Sequence, residues 1–298
     1  DSNKHFIAVT GEGSPMDNKG RYLQCFYIWD WVGGRFSASS TIGGVVLTFA
    51  YGFKAYIEFL KGAHAMDLAA LNPDLSKNIP LLHALIGIWN RNFLKYQTLA
   101  VIPYSSMLNR FAAHIQQVEM ESNGKRIDRY GDPVPFDTSS IYWGEPGTNA
   151  QHSFFQTIHQ GTTIVPLEFI GYWESQMGQD LKVEATTSQE KLLSNMLAQC
   201  LALAIGKNDA NPNKVFVGNR PSHILFAEKL DAFSLGALFA YVEHKVVFQG
   251  FIWNINSFDQ EGVQLGKVLA NRFIELFKSK RGEPVKTSFT PIEQAYYE

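Results

Sequence analysis

Residues 141–155 gather more hydrogen-bonding side chains than a simple connection needs. Glu145, Asn149, Gln151 and His152 follow one another closely, next to an apolar run at 141–143. A strand end, a glycine-bearing turn and a helix N-terminus together make a ready site for an anion or a polar ligand. The alternative is an ordinary capped helix start in which His152 is satisfied by the core.

The backbone that would position these side chains is predicted from turn signals. The apolar residues at 141–143 predict a short buried strand, which Gly144 and Pro146 end. A helix is then predicted, with Thr148 or Asn149 as its N-cap. The polar side chains would therefore lie between a strand and a helix.

Two other stretches could contact a charged ligand. Two glycines precede Arg35, and glycines let a backbone turn tightly and present a guanidinium to an anion. A surface arginine is the alternative, although the neighbouring Trp31 and Phe36 argue against a merely solvated side chain. Residues 116–125 hold two carboxylates, two amides and a turn-forming Asn-Gly pair, and by themselves they favour a surface loop.

The composition is that of a globular protein. Of 298 residues, 45% are apolar and 18% are charged, and the net charge is −2. No overall basic field would attract nucleic acid or a membrane. Cys25 and Cys200 have no metal-ligand spacing, which favours a reducing compartment and a cytoplasmic location. The apolar stretch at 42–60 contains Lys54 and Glu58 and predicts a buried helix rather than a membrane span.

Strands and helices are predicted to alternate. Strands are predicted at 6–9, 98–102, 141–143, 163–172 and 222–226, and helices at 41–60, 73–90, 107–117, 187–205, 234–248 and 267–280. The short continuous apolar run at 98–102 is typical of a strand buried on both faces. Alternation of this kind predicts an α/β fold with a doubly wound sheet.

Four separate motifs resemble those of the glucose-6-phosphate isomerase (phosphoglucose isomerase) family. Val-Gly-Gly-Arg-Phe-Ser at 32–37 resembles the first family signature, and residues 250–267, from Gly-Phe-Ile-Trp-Asn to Gln-Leu-Gly-Lys, resemble the second. Gly-Glu-Pro-Gly-Thr-Asn-Ala-Gln-His at 144–152 and Ile-His-Gln-Gly-Thr at 158–162 lie between them in the family's order. Several long motifs in the correct order are far more specific than a single glycine pattern.

The resemblance implies a fold and a domain organisation. The fold would be a three-layer sandwich of the flavodoxin or Rossmann type, with a mostly parallel sheet flanked by helices. Residues 1–40 would end a first sugar-isomerase domain, 41–280 would hold the connecting helix and a second such domain, and 281–298 would form an arm packing on the body or on a partner. The upstream Gly-Gly-Ser and Ser-Lys-Thr-Phe-Thr-Thr stretches that cradle the sugar phosphate in relatives are not found here.

The resemblance assigns roles to residues around two of the motifs. Arg35 matches the catalytic arginine, which also contacts the substrate, and Gln117 matches a substrate-binding glutamine. Glu121 matches the catalytic base. It is chosen over Glu119 because it is the carboxylate immediately before Ser-Asn-Gly.

Three further residues match the family's active site. His152 matches the ring-opening histidine, Lys267 the active-site lysine and Gln260 a substrate-contacting glutamine. In relatives the histidine reaches the active site of the neighbouring subunit, which implies a homodimer. His159 is nearby but does not match the catalytic position.

The chain departs from the family pattern at four positions without losing a group that handles protons. Gln264 replaces a usual glutamate, which removes a charge from beside Lys267. The other three departures, each in or beside a motif, are Phe36 for a usual tyrosine, Val118 for a frequent glycine and Ala150 for a usual glycine.

The implied reaction interconverts glucose 6-phosphate and fructose 6-phosphate through a cis-enediol or enediolate. A carboxylate takes the proton from one carbon and returns it to the other, and a fixed guanidinium stabilises the developing charge. A histidine, with a reference pKa of about 6.5, is suited to opening the sugar ring. No cofactor or metal is expected, and neither nucleic acid nor a membrane is an expected partner.

Two other functions stay open. The chain could be a non-catalytic sugar-phosphate-binding module, or an inactive fragment. A base, a ring opener and an anion stabiliser occurring together favour the enzyme. Because a remote phosphate helps to position the reacting carbons, we expect the 298-residue chain alone to show little isomerase activity.

Overall fold

The structure is a computed structural model that describes residues 2–297. Asp1 of the predicted 1–40 segment and Glu298 of the predicted arm lie outside the described residues. The chain forms two compact units, Asp1–Ser257 and Phe258–Glu298. The domain boundaries drawn after residues 40 and 280 stay a prediction.

The first unit is built on a four-stranded parallel sheet. Its strands and those of two small sheets are β1 (Ile7–Thr10), β2 (Gln24–Tyr27), β3 (Thr98–Pro103), β4 (Ile141–Trp143), β5 (Leu167–Tyr172), β6 (Lys182–Val183), β7 (Thr186–Thr187) and β8 (Ser222–Ala227). The main sheet has the order β4-β3-β5-β8, with Ala100 opposite Leu167 and Phe169 opposite Ile224. β1 and β2 form a separate parallel pair, and β6 and β7 an antiparallel one.

Helices connect the strands of the first unit and cover its sheet, whereas the last two helices of the chain belong to the second unit. In chain order the helices are α1 (Thr41–Tyr51), α2 (Phe53–Ala70), α3 (Ile79–Ile88), α4 (Phe111–Ile115), α5 (Gly147–Ser153), α6 (Phe155–Gln160), α7 (Ser188–Ile205), α8 (Ala232–Ile252), α9 (Gln264–Lys280) and α10 (Pro291–Ala295). α7 begins with a capping box that Thr187 and Glu190 form. No helix in the described range is long and apolar enough to cross a membrane.

The sheet has a hydrophobic core on each face. Successive residues of a strand point to opposite faces, and in β3 Val101 packs with Val242 of α8, whereas Ile102 packs in a second cluster with Met196 and Leu203 of α7. Every residue of β5 is buried. The predicted α/β fold, with a parallel sheet between two layers of helices, is thereby confirmed.

Some predicted boundaries of helices and strands differ from the structure for local reasons. The helix predicted at 41–60 is two helices, because Gly52 adopts a positive φ of 86° between α1 and α2. The helix predicted at 73–90 begins only at Ile79, where Asn78 is the N-cap. The strand predicted at 163–172 begins at Leu167, directly after Pro166.

α2 and α8 contact each other through glycine. A Cβ at Gly62 would overlap the backbone carbonyl of Phe233, and a Cβ at Gly236 would overlap that of Phe59. The backbones of the two helices therefore lie closer together than any larger residue would allow at these two positions.

The second unit consists of α9 and the C-terminal arm. Within this unit Arg272 on α9 forms an ion pair with Glu293 on α10, and Glu293 also completes a capping box with Thr290. The rings of Phe273 and Tyr296 lie 6.3 Å apart. The arm thus packs on the helix that precedes it.

Glu243 on α8 should make stability depend on pH. Burial, together with the charge of Asp67, raises its pKa from 4.5 to about 8. The folded state therefore binds a proton more tightly than the unfolded state, so this stabilising contribution is complete below about pH 4.5 and is lost as the pH rises through 8. Relative to its effect at pH 5, we expect Glu243→Gln to raise the free energy of unfolding at pH 9 by on the order of 4 kcal/mol.

Urea unfolding followed by circular dichroism at both pH values measures this difference. Glu58→Gln is the matched control, because Glu58 is a half-exposed carboxylate paired with Lys61. A Glu243→Gln effect that is equal at pH 5 and pH 9 would contradict the prediction.

Candidate active site

Arg35 is a buried guanidinium whose nitrogens donate hydrogen bonds to Ser122, Glu121 and Ser257. It lies in the short 3-10 helix Gly34–Phe36 and is 4% exposed. Its Nε donates to Ser122 Oγ at 2.6 Å, its Nη1 to Glu121 Oε1 at 3.1 Å and its Nη2 to the carbonyl of Ser257 at 2.6 Å. These contacts fix the guanidinium in one orientation, so it does not behave as the solvated surface arginine considered from the sequence.

The segment that carries Glu121 is a π-helical turn, Gln116–Glu121, which continues α4. Val118 in this turn and Ser122 directly after it are buried. The surface loop that residues 116–125 favoured is therefore wrong for this part of the chain. Single π-helical turns inside helices are frequent at functional sites, where they change the direction of a side chain.

The Glu121 carboxylate is oriented by two side chains and is 22% exposed. Its Oε1 accepts from Arg35, and its Oε2 accepts from Gln117 Nε2 at 3.2 Å. Lys125 Nζ donates to the backbone carbonyl of Glu121 at 2.8 Å. The carboxylate is thus held in place and still accessible to a ligand.

Glu119 has a different environment, although it lies two positions away. It is fully buried, its Oε1 accepts from Asn123 Nδ2 at 3.3 Å, and the side-chain amide of Gln249 reaches Oε2 at 2.9 Å when its nitrogen faces the carboxylate. Burial raises its pKa to about 6, against the opposing effect of Lys245. Of these two carboxylates, only Glu121 can meet a ligand.

A buried bridge connects the Glu121 segment to the Arg35 site. Asn123 Nδ2 donates to the carbonyl of Val246 at 3.0 Å, and Ser257 Oγ donates to Asn123 Oδ1 at 2.7 Å. The carbonyl of the same Ser257 accepts from Arg35. Sequence reasoning did not identify Ser122, Asn123 or Ser257 as supporting residues, and the only local signal was the Ser-Asn-Gly sequence after Glu121.

His152 lies apart from this cluster of Arg35, Gln117 and Glu121. It is exposed on α5, and within residues 2–297 it makes no hydrogen bond to Arg35 or Glu121. The core-satisfied His152 considered from the sequence is therefore wrong. His159, by contrast, is buried, and its Nε2 bonds to Gln199 Oε1 at 2.8 Å.

The predicted N-cap of α5 is wrong. The helix begins at Gly147, with Pro146 in the cap position and no side-chain cap, so Thr148 and Asn149 lie inside it. Gln151 Nε2 donates to the Tyr104 hydroxyl at 2.6 Å, which anchors the helix to the end of β3. With only seven residues, α5 offers little of the helix dipole on which an anion site would depend.

Gln260 and Lys267 belong to the second unit. Gln260 directly precedes the 3-10 helix Glu261–Val263, and Lys267 lies in the first turn of α9. The predicted site residues therefore fall into three groups: the cluster of Arg35, Gln117 and Glu121, His152 on α5, and the pair in the second unit.

Comparison with known proteins gives a consistent result. The family model described as phosphoglucose isomerase matches residues 1–290. The chain is 60% identical over 296 residues to a glucose-6-phosphate isomerase of Protochlamydia amoebophila (strain UWE25), covering 99% of this chain and 55% of the relative. It is 60% identical over 274 residues to the glucose-6-phosphate isomerase of Chlamydia pneumoniae, covering 92% of this chain and 52% of the relative.

A solved structure extends the comparison to the fold. The crystal structure of a glucose-6-phosphate isomerase from Chlamydia trachomatis D/UW-3/Cx superposes with a TM-score of 0.92 at 54% sequence identity, covering 99% of this chain and 55% of that chain. The present chain thus spans about half the length of the relatives that it matches. With a family model that matches nearly its whole length, the chain belongs to the phosphoglucose isomerase family.

Proposed function

We propose that the whole protein interconverts glucose 6-phosphate and fructose 6-phosphate, in glycolysis and gluconeogenesis in the cytoplasm. The observation that carries the proposal is the pairing of Arg35 with Glu121, in which a buried guanidinium contacts a partly exposed carboxylate. An isomerisation through an enediolate needs both groups next to the same two carbons. The names of the relatives supply the substrate.

Glu121 would transfer the proton between C2 and C1. In the structure Gln117 donates to its second oxygen, which keeps the carboxylate oriented. A base must lie within hydrogen-bond reach of the carbon that it deprotonates, and the accessible side of Glu121 allows this. Gln117 would then either keep this contact or turn to a substrate hydroxyl.

Arg35 would stabilise the enediolate oxygens. Its guanidinium stays charged at any relevant pH, and its contacts with Ser122 and Ser257 hold it before substrate arrives. A charge that is already oriented requires no reorganisation in the transition state.

Opening of the sugar ring would fall to His152 and Lys267, with Gln260 contacting the substrate. These assignments rest on the family motifs. The exposure of His152 on α5 supports its donation to the active site of a neighbouring subunit, and we therefore propose a homodimer.

Arg35→Lys is expected to lower kcat by about 10²–10³-fold, because one ammonium cannot replace a planar guanidinium that contacts three residues. KM should change much less than kcat, since the lost contact acts on the developing charge. Steady-state kinetics give the two values, and a thermal melt checks folding. Arg281→Lys is the matched control, because Arg281 forms an exposed ion pair with Glu283. A drop confined to KM would contradict the role.

A chimera tests the proposed function. In the chimera, the present chain replaces the matching part of the Protochlamydia amoebophila relative. Fructose 6-phosphate is the substrate, and the glucose 6-phosphate that forms is measured by a coupled enzyme that reduces NADP⁺. Turnover by the chimera, and its loss in the Glu121→Gln chimera, are the expected results. A folded chimera without turnover would favour a non-catalytic binding module, and sugar-phosphate binding without turnover would identify one.

A further inference from the structure

A second polar cluster lies inside the first unit, on elements that the proposed isomerase chemistry does not use. It comprises His83 on α3, Glu168 on β5 and His223 on β8, and one potential ligand atom from each lies within 4.8 Å of the other two. We propose that these three residues bind a divalent transition metal ion of the Zn²⁺ class. The site is separate from the proposed reaction and gives the ion no part in it.

The side chains and their spacing suit such an ion. Two imidazoles and a carboxylate are a common ligand set for Zn²⁺, which binds each at about 2.0–2.2 Å in a tetrahedron. In that geometry neighbouring ligand atoms lie about 3.3 Å apart. His223 Nε2 and Glu168 Oε2 are 3.0 Å apart, so the ion could replace the proton between them with little movement. A water molecule would complete the tetrahedron.

One carboxylate oxygen of Glu168 has no hydrogen-bond partner in the described chain, which indicates a missing ligand. The residue is 1% exposed, and its Oε1 makes no hydrogen bond within the described chain. A buried oxygen without a partner is costly, and few native structures leave one without a reason. A cation bound through both oxygens of Glu168 would satisfy it.

The hydroxyl of Tyr241 fixes the tautomer of the His83 imidazole. Its hydroxyl donates to Glu168 Oε2 at 2.7 Å and lies 2.6 Å from His83 Nδ1. Because the hydroxyl has only one proton, His83 Nδ1 must be the donor in the second bond, which leaves a lone pair on Nε2.

The cluster has an access route. His83 and Tyr241 line a cavity of about 420 Å³ whose other walls include Leu82, Ile170 and Leu238. The side chain of His223 is 21% exposed. An ion could therefore reach the ligands without unfolding of the sheet.

Lys245 opposes a cation but does not neutralise the cluster. Its Nζ lies 4.0 Å from Glu168 Oε2, and it also attracts Glu119. Two buried carboxylates thus share one ammonium, which leaves a surplus of negative charge. Because of the lysine we expect a dissociation constant on the order of micromolar, weaker than that of a structural zinc site.

Equilibrium dialysis of the chelator-treated protein against Zn²⁺, followed by metal analysis, should give one ion per chain. His223→Asn and Glu168→Gln should each weaken binding at least tenfold. His64→Asn is the matched control, because that imidazole is exposed on α2, and the search of the described residues places it in no group of three potential metal ligands. Co²⁺ should give the intense visible absorption of tetrahedral coordination in the parent protein and lose it in His223→Asn.

Three results would overturn the proposal: no binding at 100-fold the expected dissociation constant, unchanged binding in a folded His223→Asn protein, or equal weakening by His64→Asn. If both cluster variants fail to fold, anomalous scattering from Zn²⁺-soaked crystals of the parent decides. A peak among His83, Glu168 and His223 supports the site, and a peak elsewhere or no peak rejects it.

Discussion

Glu121→Gln, made in the complete isomerase or in the chimera, is expected to lower kcat by about 10²–10⁴-fold, the usual contribution of a positioned base. The glutamine keeps the shape of the side chain and can still bond to Gln117, but it cannot accept a proton from carbon. Binding of the sugar phosphate should therefore survive within a few-fold. Proton exchange at C2 should be lost with the turnover.

Solvent deuterium identifies the step that fails. With fructose 6-phosphate in D₂O, proton NMR should show label entering the sugar in the parent and none in Glu121→Gln. Glu58→Gln is the control, because Glu58 is a half-exposed carboxylate on α2 that pairs with Lys61. This variant should exchange deuterium like the parent. Exchange retained in Glu121→Gln would remove Glu121 from the role of base.

Lys245→Met is expected to lower the free energy of unfolding by about 3–5 kcal/mol, the typical cost of removing one partner from a buried ion pair. Lys245 is buried, with Glu168 on one side and the rings of Tyr142 and Tyr241 around its ammonium. Methionine would fill a similar volume but leave the buried carboxylate of Glu168 without its ammonium partner. Chemical denaturation of both proteins at pH 7 measures the loss.

The size of this loss should depend on pH. Although burial alone opposes ionisation, Lys245 and His223 hold the pKa of Glu168 well below its ordinary 4.5. The stabilisation from this low pKa is present above about pH 4.5 and is lost as the pH falls towards the folded-state pKa. The difference between parent and Lys245→Met should therefore shrink in acid. The double variant with Glu168→Gln should recover part of the stability, and a double variant as unstable as Lys245→Met alone would contradict the pairing.

The fold follows from the sequence where one pattern dominates. The apolar run of β3 predicted a strand buried on both faces, and the helix predicted at 187–205 matches α7. The break at Gly52 was not predicted, because glycine is also tolerated inside helices and only the tertiary structure selects its positive φ. The cap of α5 failed for a similar reason, since Thr148 and Asn149 suit a cap as well as a first helical turn.

The candidate site was predicted in part, through motifs rather than contacts. Arg35, Gln117 and Glu121 were named from the family resemblance, and the structure brings them together. Ser257, which holds the guanidinium through its carbonyl, has no side-chain signal for that contact, because every residue has a carbonyl. Glu168 was read simply as part of a strand, since its partners come from other elements far along the chain.

The glycine contact between α2 and α8 has a consequence for biosynthesis. Roughly 170 residues separate Gly62 from Gly236, and a ribosome adding about 5–20 residues per second needs on the order of 10–30 s to make them. During that time the face of α2 that α8 will cover has no partner from its own chain. Nascent α2 is therefore the segment where we expect a chaperone to act, and a slow codon between the two helices would lengthen its exposure.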